Sequence, residues 1–293
     1  MTAAAPSATR RLPKSSNRGT VDTLWLVNGQ RTGLDPADRG LAYGDGLFET
    51  MAAQDGRIRW LDLHIDRLEE GCRRLEIPAL PRSLLADEIR AHCPPRGRAV
   101  VKLIVTRGMG RRGYAPPEPP ATPTRVLGIL PWPDYPESYY RDGISVRFCR
   151  VRVGENPALA GLKHLCRLEQ VLASLELRGE SVQQGLMLDA GGRVVGGTNS
   201  NVFAVRDGVL DTPSLVRCGI KGVMRRAVLE AARALGIRAE ERDIAPAELL
   251  DADEVFVTNS LFGIWPVTTL ESRSIARGPT TERLMAQLGY GLA

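Results

Sequence analysis

Ala160-Gly161-Leu162-Lys163-His164-Leu165-Cys166-Arg167-Leu168-Glu169-Gln170 is the stretch around which the rest of the chain is read. Of 39 basic residues only four are lysines, at positions 14, 102, 163 and 221, and all the others are arginine. A guanidinium does not release its proton, whereas an ammonium does, and only the free amine forms a Schiff base or removes a proton. Lys14 lies in a polar tail, Lys102 inside the strand-like run 99–105, and Lys221 in a glycine turn. Lys163 alone has apolar neighbours before it and a helical pattern after it. Leu165, Leu168, Val171, Leu172 and Leu175 recur at helical spacing and are expected to pack inward, with Arg167, Glu169, Gln170 and Glu176 turned away. An amine at the mouth of that helix feels its positive end and is partly desolvated, and both effects lower its pKa from about 10.4. The plain alternative is a lysine snorkelling off a helix start.

Working outward, the 293 residues are enough for one large or two modest domains, and 43% hydrophobic with 25% charged residues is ordinary for a globular protein. No apolar run approaches the roughly 20 residues of a membrane span. Five cysteines at 72, 93, 149, 166 and 218 form no CxxC, and the three histidines are scattered, which argues against a zinc site and for a reducing, cytoplasmic setting. The net charge is +5, but Arg10, Arg11, Lys14 and Arg18 supply most of it. Without residues 1–20, expected to be a disordered tail, the remainder carries about +1, and no nucleic-acid-reading motif accompanies the charge.

From Thr23 onward short strands alternate with turns. Leu24–Val27 ends at Asn28-Gly29, a hairpin signal, and 47–53 with 57–60 flank Gln54-Asp55-Gly56, a second one. Helices are expected from about His64 to Leu75 and from Ser83, as N-cap, to Ala91. Strands follow at 99–106 and 125–130 around a proline-rich loop. Residues 132–136 (Trp-Pro-Asp-Tyr-Pro) form the candidate linker between a smaller unit, 21–131, and a larger one, 137–293. In the latter a strand covers 144–151, a meander 186–210, a helix 222–235, and late strands 254–258 and 264–269. Strands and helices mix without a βαβ repeat, so the class is α+β.

Four further segments carry chemistry or plain structure. Cys218-Gly219-Ile220-Lys221-Gly222-Val223-Met224-Arg225 opens a helix with glycines, which makes either an anion cradle or a simple turn. Arg67, beside His64 and Glu70 on its helix, reads locally as a solvated arginine. Thr106-Arg107-Gly108-Met109-Gly110-Arg111-Arg112-Gly113-Tyr114 is a basic, glycine-rich loop. Arg39-Gly40-Leu41-Ala42-Tyr43-Gly44-Asp45-Gly46-Leu47-Phe48-Glu49-Thr50 is a tight turn leading into a strand.

Taken together these segments resemble those of aminodeoxychorismate lyases, pyridoxal 5'-phosphate enzymes of the fold-type IV, or branched-chain aminotransferase-like, family. The resemblance runs from about Leu24 to Leu270. It implies a smaller N-terminal α/β sandwich domain, a larger β-barrel-like domain with helices, the cofactor in the cleft between them, and a homodimer. It further implies that Lys163 carries the cofactor as a Schiff base and then acts as acid and base. Arg67 and the amides of Val223 and Met224, opened by Gly222, would hold the phosphate, with Asn259 and Ser260 as further contacts. Arg107, Arg112 and Tyr114 would bind an anionic substrate, aminodeoxychorismate, and Phe48 would face the cofactor. Gly196 stands where the family usually places the Glu that pairs with the pyridine nitrogen, a departure that weakens the ring as an electron sink. The implied activity releases 4-aminobenzoate and pyruvate for folate synthesis. A D-amino-acid or branched-chain aminotransferase on the same fold, or a non-catalytic binding protein, are the alternatives.

Overall fold

β1 (Leu24–Val27), α1 (Arg39–Tyr43), β2 (Gly46–Gln54), β3 (Arg57–Ile58), α2 (Leu61–Arg74), α3 (Arg82–His92), β4 (Arg98–Thr106) and β5 (Thr124–Pro131) make up the first half of the chain. A computed structural model describes residues 21–110 and 112–290; the tail expected over residues 1–20, and Arg111, lie outside the described residues. The five strands form one antiparallel sheet in the order β1-β5-β4-β2-β3. The expected β2–β3 hairpin is present, with Asp55 and Gly56 both at positive φ in its turn. The Asn28-Gly29 turn also forms, but its return is a single bridge from Val27 to Gln30, and β1 instead pairs with β5. Because side chains alternate along a strand, Leu47 and Met51 of β2 turn under α2, where they meet Leu68 and, from β4, Val101 and Leu103. Full burial of each such side chain contributes about 1.5–3 kcal/mol. The same alternation sends Phe48 and Thr50 to the opposite face, where the cavity lies.

The second half contains α4 (Ser138–Arg141), β6 (Ile144–Val153), α5 (Leu168–Leu175), β7 (Gln184–Asp189), β8 (Val194–Gly197), β9 (Asn201–Arg206), β10 (Val209–Pro213), α6 (Val223–Ala234) and β11 (Ala239–Arg242). It ends with α7 (Pro246–Leu250), β12 (Glu254–Asn259), β13 (Gly263–Leu270), β14 (Arg273–Ser274) and α8 (Pro279–Gln287). The sheet order is β11-β10-β9-β12-β13-β6-β7-β8, with β14 on β13. β8 is an edge strand, yet a tight turn joins it to β9 on the far side of the sheet, where the Gly197 N–H donates to the Ser200 carbonyl at 2.8 Å. The sheet therefore curls into a half-barrel, and the α+β class holds. Phe203 and Phe256 stack at 4.9 Å beneath α6 and α8. The expected linker 132–136 has no helix or strand, but Tyr135 is packed edge-on against Trp265 at 5.0 Å.

Three expectations are corrected here. Pro81, not Ser83, precedes α3, and Ser83 lies inside it. α5 begins at Leu168, five residues beyond Lys163, so the amine does not sit at the mouth of that helix. The α5 stripe also points the other way: Leu168 is 77% exposed, and Val171, Leu172 and Leu175 are exposed too. The helix is tied down by its other side. Ala173 is fully buried, the Glu169 carboxylate accepts the Gly154 N–H at 2.9 Å, and Glu176 accepts the N–H groups of Arg150 and Val151 at 2.9 and 2.8 Å. Those last two amides sit at an irregularity in the β6–β7 ladder, where an acidic side chain replaces the missing strand partner.

Candidate active site

Lys163 is held in extended backbone between the two halves of the fold. On one side the Phe48 N–H donates to the Lys163 carbonyl and the Leu165 N–H to the Gly46 carbonyl, both at 3.0 Å, so the segment continues the edge of β2. On the other, the Gly161 N–H donates to Gly219 at 2.9 Å and the Lys221 N–H to Gly161 at 3.1 Å. Gly161 sits at φ +82°, a conformation an L side chain rarely adopts, so both sets of bonds depend on glycine there. Arg74 of α2 braces the approach by donating to the carbonyls of Ala158 and Ala160, each at 2.8 Å.

The side chain of Lys163 enters a cavity of about 410 Å³, with its Nζ 4.2 Å from the centroid of the Phe48 ring. Burial, then the nearby Arg67 guanidinium, push the amine down to about 7, against the pull of Glu49. The lowered pKa expected from the sequence is present, but desolvation and a cation cause it, not a helix end.

Arg67 projects from α2 into the same cavity. Its Nε donates to Glu49 at 2.8 Å, its Nη2 to the other oxygen of that carboxylate, and its Nη1 to the Lys221 carbonyl at 3.2 Å. Glu49 is 2% exposed and also accepts from His64 Nδ1 at 2.6 Å. Burial favours the neutral acid, but Arg67 and His64 outweigh it and hold Glu49 near 2. Burial lowers His64, against the pull of Glu49, so the ring is neutral and its Nδ1–H is the donor. The Glu49–His64–Arg67 cluster, invisible in the sequence reading, thus fixes the guanidinium as a rigid fork.

Next to Arg67 the cavity wall is the start of α6. Gly222 is the N-cap, with no side chain to satisfy the first amides, and Val223 and Met224 line the cavity. A Cβ on Gly222 would come within 2.1 Å of Asn201 Oδ1, which accepts the Gly222 N–H at 3.1 Å. Free amides and a guanidinium together can hold a dianion. Asn259 and Ser260 also line the cavity, but the Asn259 carboxamide oxygen is committed to the N–H groups of Leu261 and Phe262 at 2.9 and 3.0 Å.

The substrate residues anticipated on the basic loop lie elsewhere. Arg107 is a correction: it is 8% exposed, pairs with Asp45 at 2.8 Å and donates to the carbonyls of Leu75 and Glu76, each at 2.7 Å, closing the end of α2. Arg112 is exposed, and so is Tyr114, whose carbonyl accepts from Arg39 at 2.7 Å while its ring meets Tyr43 edge-on at 5.3 Å. Neither lines the cavity of its own chain. Phe48 and Gly196 do, and a Cβ on Gly196 would stand 2.9 Å from the Ser200 carbonyl, so a side chain there requires the backbone to move. Among the described lining residues there is no carboxylate. Arg167 and Gln170, read from sequence as turned away, line the cavity.

The model of the class IV aminotransferases matches residues 46–270. The chain belongs to the class IV aminotransferase family. The cofactor of this class IV protein is pyridoxal 5'-phosphate. It is 33% identical over 270 residues to the aminodeoxychorismate lyase of Vibrio harveyi, covering 90% of this chain and 99% of that one. The crystal structure of 4-amino-4-deoxychorismate lyase from Pseudomonas aeruginosa superposes with a TM-score of 0.87 at 51% identity, covering 90% of this class IV chain and 98% of the other. The branched-chain aminotransferase of Escherichia coli gives 0.80 at 25% identity, covering 90% and 93%. The donor set fits the cofactor at two ends: uncapped helix amides and a fixed guanidinium for the phosphate, and a free amine for the carbonyl. No carboxylate among the described lining residues is available to pair with the ring nitrogen.

Proposed function

We propose that this chain is a pyridoxal phosphate-dependent 4-amino-4-deoxychorismate lyase, forming 4-aminobenzoate and pyruvate, the former for folate synthesis. The observation that carries the reading is 51% identity with the Pseudomonas aeruginosa lyase along 90% of the chain, around a cavity floored by Lys163. Pyridoxal phosphate, when bound, supplies a carbonyl that captures amines and a conjugated ring that accepts electrons. Arg67 and the amides of Val223 and Met224 would hold its phosphate, while Ser260 and Asn259 shape the adjoining turn. Lys163 Nζ would take the proton from the substrate ring carbon that bears the nitrogen. A pKa of about 7 suits an amine that must both accept and return a proton near neutral pH. The enolpyruvyl oxygen then leaves from the adjacent carbon as the ring becomes aromatic. Phe48, Tyr135, Val153 and Met187 give the cavity apolar walls that exclude water.

Gly196 supports elimination over amino-group transfer. With no carboxylate among the described lining residues, a bound ring nitrogen would be less readily protonated, which would weaken the electron sink that transfer to a keto acid needs. Aromatisation of the product tolerates a weaker sink. Adding 2-oxoglutarate is therefore expected to leave the rate of 4-aminobenzoate release unchanged; a requirement for it would favour an aminotransferase.

The proposal includes a homodimer. Leu168, Val171, Leu172 and Leu175 form an exposed apolar stripe on α5, and burying each would contribute about 1.5–3 kcal/mol. A second copy gives Arg112 and Tyr114 a route to a cavity, since they stand outside their own. Leu172→Arg is expected to lower the mass measured by light scattering from two chains to one. An unchanged dimer would place the contact elsewhere. We also propose two units, 21–131 and 137–293, joined at 132–136; limited proteolysis that cuts within either unit first would contradict that division. No cysteine is paired, which supports a cytoplasmic setting; recovery with the cell envelope would contradict it. No helix among the described residues is long and apolar enough to cross a membrane.

A further inference from the structure

Two arginines line the cavity, and they differ in what holds them. Arg67 is committed to Glu49. Arg167 forms no salt bridge among the described residues, and the charge of Glu169 reaches it only at longer range. Its Nη2 meets only His164 Nε2, and its Nε is buried with no acceptor. His164 is a neutral acceptor, since burial and then Arg167 itself bring it down to about 4. Burial also disfavours the charge on Arg167. Gln170, one turn on, has a buried Oε1 with no donor. Both residues line the cavity and also the shallow surface groove that continues along α5 past Val171 and Ser174, so they stand at the cavity mouth. A half-buried guanidinium lining a cavity mouth, its Nε without an acceptor, a neutral ring on its Nη2 and the charge of Glu169 acting only from beyond salt-bridge distance, is built to meet an anion that arrives with the ligand.

We propose that Arg167, oriented by neutral His164, receives the ring carboxylate of the substrate at the cavity mouth and sets the preference for amines that carry one. This rests on the lyase reading and deepens it. In aminodeoxychorismate the amine and the ring carboxylate lie at opposite ends of a six-membered ring. An amine directed toward Lys163 Nζ would therefore point the carboxylate outward, toward the mouth. The product 4-aminobenzoate keeps that group, so product binding reports on it without any turnover.

The test is equilibrium binding of 4-aminobenzoate and of aniline to the cofactor-loaded protein, for wild type, Arg167→Met and Arg167→Lys. Wild type is expected to bind 4-aminobenzoate about ten- to a hundredfold more tightly than aniline, from one charge-assisted contact. Arg167→Met should bring that ratio close to one, Arg167→Lys should restore part of it, and bound cofactor per chain should stay constant. With aminodeoxychorismate the Met variant should raise KM more than it lowers kcat. A Met variant that keeps the wild-type ratio overturns the proposal. Selective binding of 4-aminobenzoate by a wild type that releases no pyruvate would sink the lyase reading and leave Arg167 as a carboxylate receptor.

Discussion

Lys163→Ala is expected to lower turnover by on the order of 10⁴-fold, the upper end of what one positioned acid-base group contributes. Borohydride reduction of the wild type should fix the cofactor onto the peptide that contains Lys163. Reduction that labelled Lys102 or Lys221 would contradict the assignment. The pH dependence is equally specific. Burial and Arg67 hold the amine near 7, so in cofactor-free protein its reaction with an aldehyde should reach half its limit there, far below the 10.4 or so of an ordinary lysine. Between about pH 7 and 10.4 the unfolded chain holds a proton at this position that the folded chain has released. Stability of the cofactor-free protein should therefore rise with pH across that window. Lys163→Met should flatten the rise.

The second large effect is expected from Arg67→Ala, and it has two parts. Loss of a charge-assisted phosphate contact should weaken cofactor binding by about 1.5–3 kcal/mol. Loss of the cation that neutralises Glu49, itself 2% exposed, should cost about 3–5 kcal/mol of stability in cofactor-free protein under urea. A solvated arginine, the local reading of the sequence, would show neither. Adding Glu49→Gln to Arg67→Ala should recover stability without recovering cofactor affinity, which separates the two roles. In the wild type Glu49 is held near 2, below its unfolded value of about 4.3. Its contribution is therefore complete above pH 4.3 and is lost as the pH falls toward 2.

Much of the fold was legible because its signals are local. Asp55-Gly56 takes positive φ and sets β2 against β3, and the 3.6-residue pattern ending at Leu75 marks α2, which starts at Leu61. Lys163 stood out through its chemistry in a chain that otherwise uses arginine. What failed was the sense of direction. The leucines of α5 have the period of a core-facing stripe, but period alone does not say which face meets the core. Glu169 and Glu176, bonded to backbone amides of the 150–154 segment, decide it. That inversion carries Arg167 and Gln170 into the cavity. Arg107 misled for a related reason: an arginine in a basic loop looks solvated or ligand-binding, and only the fold brings the open carbonyls of Leu75 and Glu76 within its reach. The Glu49–His64–Arg67 cluster joins positions up to 18 apart across a strand and a helix, with no pattern to mark it.

The most direct test of the central claim is incubation of the purified, cofactor-loaded protein with aminodeoxychorismate and no keto acid. The expected products are 4-aminobenzoate and pyruvate in equal amounts over many turnovers, with the cofactor unchanged at the end. Conversion of the cofactor to its amine form after a single turnover, with no 4-aminobenzoate released, would contradict that claim.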